Sequence, residues 1–115
     1  MYDIKNILVP IDFSDYSKKA LQFSVSFAEK FEAKLYLIYV IEPMVYPADF
    51  SMGQVTLPAS DLNIDTQAEE ELKTLVDKEL KYPREKVETI IKTGKPFVEI
   101  NETAEEKDID LIIIA

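Results

Sequence analysis

The sequence contains neither cysteine nor histidine, and only two of its 115 residues are glycine. The absence of cysteine excludes disulfides and thiolate chemistry. The absence of histidine excludes Ser-His-Asp and Cys-His catalysis, and together the two absences exclude zinc sites built from Cys and His ligands. The function must therefore depend on other side chains or on the backbone.

Basic residues are also few, with 13 Lys and Arg against 22 Asp and Glu, which gives a formal net charge of −9. This balance argues against nucleic acid or an anionic membrane as a partner, since both require a basic face. It leaves a bound nucleotide open, because backbone dipoles hold phosphate in acidic proteins as well. The start MYDIKN has no signal-peptide pattern, and no apolar run approaches membrane-spanning length. We therefore expect a cytoplasmic protein.

The hydrophobic pattern alternates between two periods and predicts one α/β domain over residues 1–115. Four strands are predicted at Asn6–Ile11, Lys34–Ile41, Lys86–Lys92 and Asp110–Ala115, and three helices at Asp15–Phe31, Asp65–Leu80 and Pro96–Lys107. Strands that alternate with helices imply parallel pairing through right-handed crossovers. The prediction is an open, doubly wound parallel sheet with strand 1 central and strand 3 at an edge. Strand 4 has the continuous apolar character of a central strand.

Each predicted helix has an apolar stripe at spacings of three and four residues, which predicts the face that it buries. In helix 3 this stripe consists of Phe97, Ile100 and Ala104. In helices 1 and 2 it consists of Ala20, Leu21, Ser24, Phe27, Ala28 and Phe31, and of Ala68, Leu72, Leu75, Val76 and Leu80.

The segment Glu42–Ser60 breaks the pattern and is predicted to be a long loop. It holds half of the prolines and one of the two glycines, together with apolar residues that include Met44, Val45, Tyr46, Phe50, Met52 and Leu57. One interpretation is a loop that packs its own side chains onto the domain. The other is a flap over a ligand or a patch for a partner, because loops of this length are often functional.

The stretch Lys5–Asp15, KNILVPIDFSD, predicts a buried strand that runs directly into a helix. Asp12 ends the strand, and Ser14 is a plausible N-cap. In open α/β sheets, ligands bind at the carboxyl ends of the strands, where this turn lies. Asp12 is therefore either a ligand contact or a carboxylate that accepts N–H groups at the start of helix 1.

The last predicted strand, DLIIIA, ends the sequence on apolar residues, whereas termini are usually polar. An apolar strand of this kind is expected to have neighbours on both sides. We therefore expect that residues normally follow Ala115 and that the domain is incomplete at its carboxyl end. An unpaired edge at strand 4 favours self-association.

Three stretches, in this order, resemble the universal stress protein family: NILVPIDFSDYSKKAL, YLIYVIEP and TGKPFVEINETAEEKDIDLIIIA. The resemblance extends over the whole chain, from Met1 to Ala115. It implies an adenine-nucleotide α-hydrolase-like (Rossmann-like) sheet with strand order 3-2-1-4 and with the family's fifth strand absent. It also implies a regulatory domain of the stress response that binds adenine nucleotide, is usually a homodimer, and is not an enzyme beyond weak ATPase activity in a full-length form.

The same resemblance implies a nucleotide site at the ends of three strands. By motif position, the residues that would contact ATP are Pro10, Ile11, Asp12, Val40, Ile114 and Ala115. Asp12 would hydrogen-bond the ribose or help to place a Mg ion that accompanies the nucleotide. Val40 would contact adenine, largely through its backbone. The resemblance implies no catalytic residue and no metal site apart from this role of Asp12.

The sequence departs from the family where the phosphates would bind. ATP-binding members follow strand 4 with a Gly-x-x-G segment and a Gly-Ser or Gly-Thr helix start, whereas the glycines here, Gly53 and Gly94, lie in other turns. Backbone N–H groups in such segments hold the phosphates. We therefore expect triphosphate affinity to be weak or absent in these 115 residues. The alternative is a protein-interaction module of the same fold that binds no nucleotide.

Overall fold

A computed structural model describes residues 4–42 and 58–114 of the chain. The strands are β1 (Asn6–Pro10), β2 (Lys34–Ile41), β3 (Val87–Thr93) and β4 (Leu111–Ile112). The helices are α1 (Asp15–Phe31), α2 (Pro58–Glu79) and α3 (Pro96–Glu106), and a short 3-10 helix, Arg84–Lys86, leads into β3. The predicted loop lies mostly outside the described residues, so neither interpretation of it is tested.

The four strands form one parallel sheet in the order β3-β2-β1-β4. Ile7 pairs with Leu35 of β2 on one side and with Leu111 of β4 on the other, which makes β1 an inner strand. β3 pairs with β2 over its whole length, from Leu35↔Val87 to Ile41↔Thr93. The predicted strand order, with β1 inside and β3 at an edge, is confirmed.

Helices cover both faces of the sheet, because the chain first moves from β1 through β2 to β3 and then returns past β1 to β4. α1 and α2 pack on one face, where the alternate side chains Ile7, Val9, Leu35 and Leu37 are fully buried. The crossover from β3 to β4 runs back over the sheet, so a right-handed connection places α3 on the opposite face. There Ile100 and Ala104 pack against a second buried cluster of Leu8, Tyr36 and Ile38. The sheet is doubly wound, as predicted.

The stripe predicted for α2 is buried as a whole, and so are Ala20, Leu21, Ser24 and Ala28 of α1. The stripe predicted for α3 is wrong in one member, since Phe97 is 83% exposed. The residue that α3 buries fully is instead Thr103, which is 1% exposed. Thr103 lies one turn from Ile100 on the face toward the sheet, whereas Phe97 lies in the first turn of α3, beyond the buried cluster.

The predicted bounds of β3 and the predicted ends of α2 and α3 are displaced by one residue, and the start of α2, the end of β1 and the extent of β4 differ as follows. α2 begins at Pro58 and not at Asp65, because proline suits the first turn of a helix, where its missing N–H has no partner in any case. β1 ends at Pro10 and not at Ile11. β4 is confined to Leu111–Ile112, so the strand predicted at Asp110–Ala115 is too long for the described residues, and β4 is the last strand in the order 3-2-1-4 that the resemblance implied.

A polar clip fixes β4 against β1 at the amino ends of the two strands. Asp110 Oδ2 accepts the backbone N–H groups of Lys5 at 2.8 Å and of Asn6 at 2.9 Å. The Asn6 side chain donates to the carbonyls of Lys107 and Asp108, just beyond the end of α3. The clip thus sets the register that brings the end of β4 beside the end of β1.

Within the described part of the chain, no helix combines the length and the apolar character needed to cross a membrane.

Candidate functional site

A cleft of about 280 Å³ lies at the carboxyl ends of the strands, between the starts of α1 and α3. Two wider grooves, of about 480 and 580 Å³, run along the flanks of α2. They are larger, but they lie on the outer surface, away from the strand ends where ligands of open α/β sheets bind. The smaller cleft is therefore the candidate site.

The structure brings together five of the six site residues predicted from the sequence. Pro10, Ile11, Asp12, Val40 and Ile114 all line this cleft. The sixth, Ala115, lies outside the described residues. The β1 and β2 ends are held side by side, since the Ile11 N–H donates to the Ile38 carbonyl at 2.8 Å. Their shared position supports a common site, and contact with a ligand remains a prediction.

Asp12 is the centre of a hydrogen-bond network that starts α1. Its Oδ1 atom accepts the Ser14 N–H at 2.9 Å, the Ser14 hydroxyl at 2.5 Å and the Ser17 hydroxyl at 2.8 Å. Ser14 is the N-cap and accepts the Ser17 N–H at 3.1 Å. Ser17 Oγ in turn accepts the Asp12 N–H at 2.8 Å. The carboxylate therefore has the structural role that was one of its two interpretations.

The network also lowers the pKa of Asp12 below its ordinary value of 3.8. The largest cause is the hydrogen bond from the Ser14 hydroxyl, followed by the Ser14 N–H and the Ser17 hydroxyl. Hydrogen bonds to the charged form of an acid favour ionisation. Asp12 is exposed and ionised, and the side-chain hydrogen bonds that it accepts from described residues go to Oδ1, so the structural role is compatible with a ligand contact at Oδ2.

Phe13, between Asp12 and Ser14, has a φ of 64°, in the left-handed region. This conformation costs a non-glycine residue roughly 1–2 kcal/mol. It is held by packing, because the Phe13 ring lies against Tyr39 with 4.9 Å between centroids. The strained residue thus lies in the turn that presents Asp12 to the cleft.

Six cleft residues were not among the predicted site residues. They are Ser17, Ile38, Tyr39, Glu42, Pro96 and Ile100. Ile38 shares the face of β2 with Val40, since strands repeat every two residues, and Glu42 directly follows the end of β2; both signals were available in the sequence. Pro96 and Ile100 required the further step that the β3–β4 crossover places α3 on this face.

The walls and the charges of the cleft differ in character. Two apolar walls face each other across the cleft: Ile38 and Val40 form the wall from β2, and Pro96 and Ile100 form the wall from α3. Among the described residues, the charged groups that line the cleft are the carboxylates of Asp12 and Glu42, and no lysine or arginine lines it. Such a cleft suits a flat, uncharged, partly apolar group that donates hydrogen bonds.

A nucleoside fits this chemistry better than a polyphosphate does. The apolar walls match a base, and the carboxylates match hydroxyl or amino donors. The one glycine that the structure describes, Gly94, is not a lining residue. In residues 4–42 and 58–114 there is no group of three or more Asp or Glu residues placed to hold a metal ion.

Comparisons with known proteins agree with this architecture. The model of the universal stress protein family matches residues 3–115. A universal stress protein of Methanocaldococcus jannaschii is 35% identical over 113 residues, which are 96% of this chain and 63% of that protein. The chain thus spans less than two thirds of the length of this relative.

Solved structures give the same result. Universal stress protein UspA from Lactobacillus plantarum is similar with a TM-score of 0.67 at 25% identity, over 99% of this chain and 78% of that one. A universal stress protein solved in complex with cAMP has a TM-score of 0.58 at 21% identity, over 96% of this chain and 72% of that one. The sheet is of the adenine-nucleotide α-hydrolase-like type, and the chain belongs to the universal stress protein family.

Proposed function

We propose that this chain is a regulatory domain of the stress response that binds the nucleoside part of an adenine nucleotide. The observation that carries the proposal is the cleft in which Pro10, Ile11, Asp12, Val40 and Ile114 meet. The family membership supports it, as does the existence of a structurally similar universal stress protein in complex with cAMP.

The base lies between the β2 and α3 walls in this proposal. Val40 contacts it mainly through the backbone, while Ile38 and Ile100 exclude water from the cleft floor. The ribose lies over the turn after β1, where Asp12 Oδ2 accepts a hydrogen bond from a ribose hydroxyl. Ile114 closes the cleft from the end of β4, together with Ala115.

The phosphates find less support among the described residues. The carboxylates of Asp12 and Glu42 repel an anion that enters the cleft, and no lysine or arginine among the described lining residues offsets this repulsion. We therefore expect ATP to bind weakly or not at all to residues 1–115, and a Mg ion beside Asp12 to accompany the nucleotide if phosphates are held elsewhere. The proposed role is regulatory, with at most weak ATPase activity in a full-length form.

Calorimetric titration of adenosine and ATP tests the proposal. We expect adenosine to bind the 115-residue chain, and ATP to bind more tightly only in a chain extended past Ala115. Asp12→Ala should weaken adenosine binding, whereas Asp15→Ala, an exposed acid of α1 outside the cleft, should not. Failure of both chains to bind either ligand would overturn the proposal, and unchanged affinity in Asp12→Ala would make Asp12 purely structural.

A protein-interaction module without nucleotide is the second candidate, and exposed apolar side chains favour it. Phe97 and Val98 of α3 are 83% and 45% exposed, and Ile114 beyond β4 is 68% exposed. Large exposed apolar groups of this kind occur at interaction surfaces. We propose a cytoplasmic homodimer under either candidate, and adenosine binding separates the two.

A further inference from the structure

We propose that Glu42 determines base specificity in the cleft by accepting a hydrogen bond from the exocyclic amino group of an adenine base. This inference rests on the proposed nucleoside-binding function and assigns a role to a residue that was not among the six predicted site residues. It begins from the position of Glu42 directly after β2.

Glu42 directly follows the last residue of β2, two positions after Val40, and both residues line the cleft. Residues two positions apart in an extended chain are separated by roughly 6–7 Å. Ile38 and Val40 share one face of β2 and form one wall of the cleft, and the exposed Glu42 lies where that strand ends. A base that contacts Val40 places one edge near Glu42.

Glu42 is also the cleft carboxylate that has no partner among the described residues. Oδ1 of Asp12 is occupied by its three bonds to Ser14 and Ser17. The side chain of Glu42 makes no hydrogen bond or ion pair with a described residue, so no described group competes with a ligand for its oxygens. The two acids thus divide the cleft, with Asp12 on the β1 side and Glu42 on the β2 side.

The chemistry of the base then sets the specificity. Adenine carries an amino donor at position 6, which an ionised carboxylate accepts. Hypoxanthine carries an oxygen acceptor there, which would lie against the carboxylate without a proton between them. Sites that hydrogen-bond one ligand and leave a polar group unpaired with another discriminate between the two.

Three nucleosides that differ at this position test the inference by calorimetry with the 115-residue chain. Adenosine has a donor at position 6, purine riboside has only hydrogen, and inosine has an acceptor. We expect affinity to fall in that order, with inosine bound about tenfold more weakly than adenosine. This factor is at the low end for the loss of a hydrogen bond to a charged group, because Glu42 is exposed to solvent.

Two variants and a control complete the experiment. Glu42→Gln should bind adenosine and inosine within about twofold of each other, because an amide can accept from the first and donate to the second. Glu42→Ala should bind all three nucleosides alike. Glu29→Gln removes the same charge from an exposed position of α1 outside the cleft and should keep the wild-type order.

The outcomes separate this inference from the proposed function. If the wild type binds all three nucleosides equally, or if Glu42→Gln keeps the wild-type discrimination, the role of Glu42 is overturned while nucleoside binding stands. If the wild type binds none of them, the nucleoside-binding function itself fails, and the role of Glu42 fails with it.

Discussion

At the scale of single residues, the turn after β1 concentrates unusual features within six positions. Phe13 has a left-handed backbone, Asp12 accepts three hydrogen bonds on one oxygen, and the Ser17 N–H donates to the Ser14 hydroxyl in the first turn of α1. Strain and dense polar bonding together fix the direction of one carboxylate. A turn held in this way keeps Asp12 in one orientation before any ligand arrives.

Because the backbone of Phe13 is strained, we expect a glycine variant at this position to be more stable than an alanine variant. Phe13→Ala loses the ring contact with Tyr39 and keeps the strained φ, whereas Phe13→Gly loses the same contact and relieves the strain. We expect the glycine variant to be more stable than the alanine variant by about 1 kcal/mol, against the usual order of these residues. Urea unfolding of both variants measures this. An alanine variant as stable as the glycine variant would show that the turn is not strained.

The lowered pKa of Asp12 makes part of the stability dependent on pH. Because the folded-state pKa lies below 3.8, the contribution is present above that pH and is lost as pH falls through the folded pKa. Asp12→Asn should therefore reduce the free energy of unfolding at pH 7, and this reduction should shrink progressively as the pH falls below 3.8, measured by urea unfolding over that range. Asp15→Asn, at an exposed neighbouring position, is the control. A loss that stays the same at every pH would contradict the prediction.

At the scale of elements, the sequence predicted the features that depend on periodicity. The bounds of α1 and β2 and the buried face of α2 follow from apolar residues at fixed spacings, and they are confirmed. The strand order 3-2-1-4 was implied by the family resemblance, and it is confirmed as well. The same resemblance, with the rule that sites lie at strand ends, placed five cleft residues together. Local pattern was sufficient for the first group of features only.

Features that depend on tertiary contacts were predicted less well. Phe97 fits the stripe of α3 by spacing alone, but the buried cluster on that face does not extend to the first turn. β4 is short because pairing ends at Leu8↔Ile112, which apolar character cannot reveal. Glu42 lies in the stretch YLIYVIEP, but neither that stretch nor apolar periodicity assigned it a role, and only its position directly after β2 connects it with the cleft.

Thr103 makes the packing of α3 against the sheet testable. Its side chain is buried on that face, and its hydroxyl has no hydrogen-bond partner among the described residues. An unpaired buried hydroxyl costs roughly 1–3 kcal/mol, so Thr103→Val should raise the free energy of unfolding by about 1 kcal/mol. Thr103→Ser keeps the hydroxyl and removes the methyl group, so it should lower the free energy of unfolding. Urea unfolding distinguishes them, and a valine variant less stable than the wild type would indicate that the hydroxyl has a partner.

At the scale of the whole molecule, acidic charge and apolar edges act against each other. The net charge of −9 keeps copies apart at low ionic strength. In the described sheet, β4 is paired on one side only, with β1, and exposed Ile114 follows it. Strand edges of this kind pair with other chains. Salt screens the repulsion over distances longer than about 10 Å at 0.1 M and leaves the short-range contact, so association should rise with salt.

We therefore expect the 115-residue chain to self-associate through the β4 edge, and light scattering coupled to size exclusion measures the mass. Ile114→Lys places a charge beside the edge and should shift the population toward monomer, since lysine is a common device for protecting edge strands. Phe97→Lys adds the same charge at an exposed apolar position of α3. If both variants reduce association equally, a general apolar surface is responsible. A wild type that stays monomeric at all salt concentrations would contradict the expectation, because it would mean that the unpaired edge of β4 does not attract a second strand.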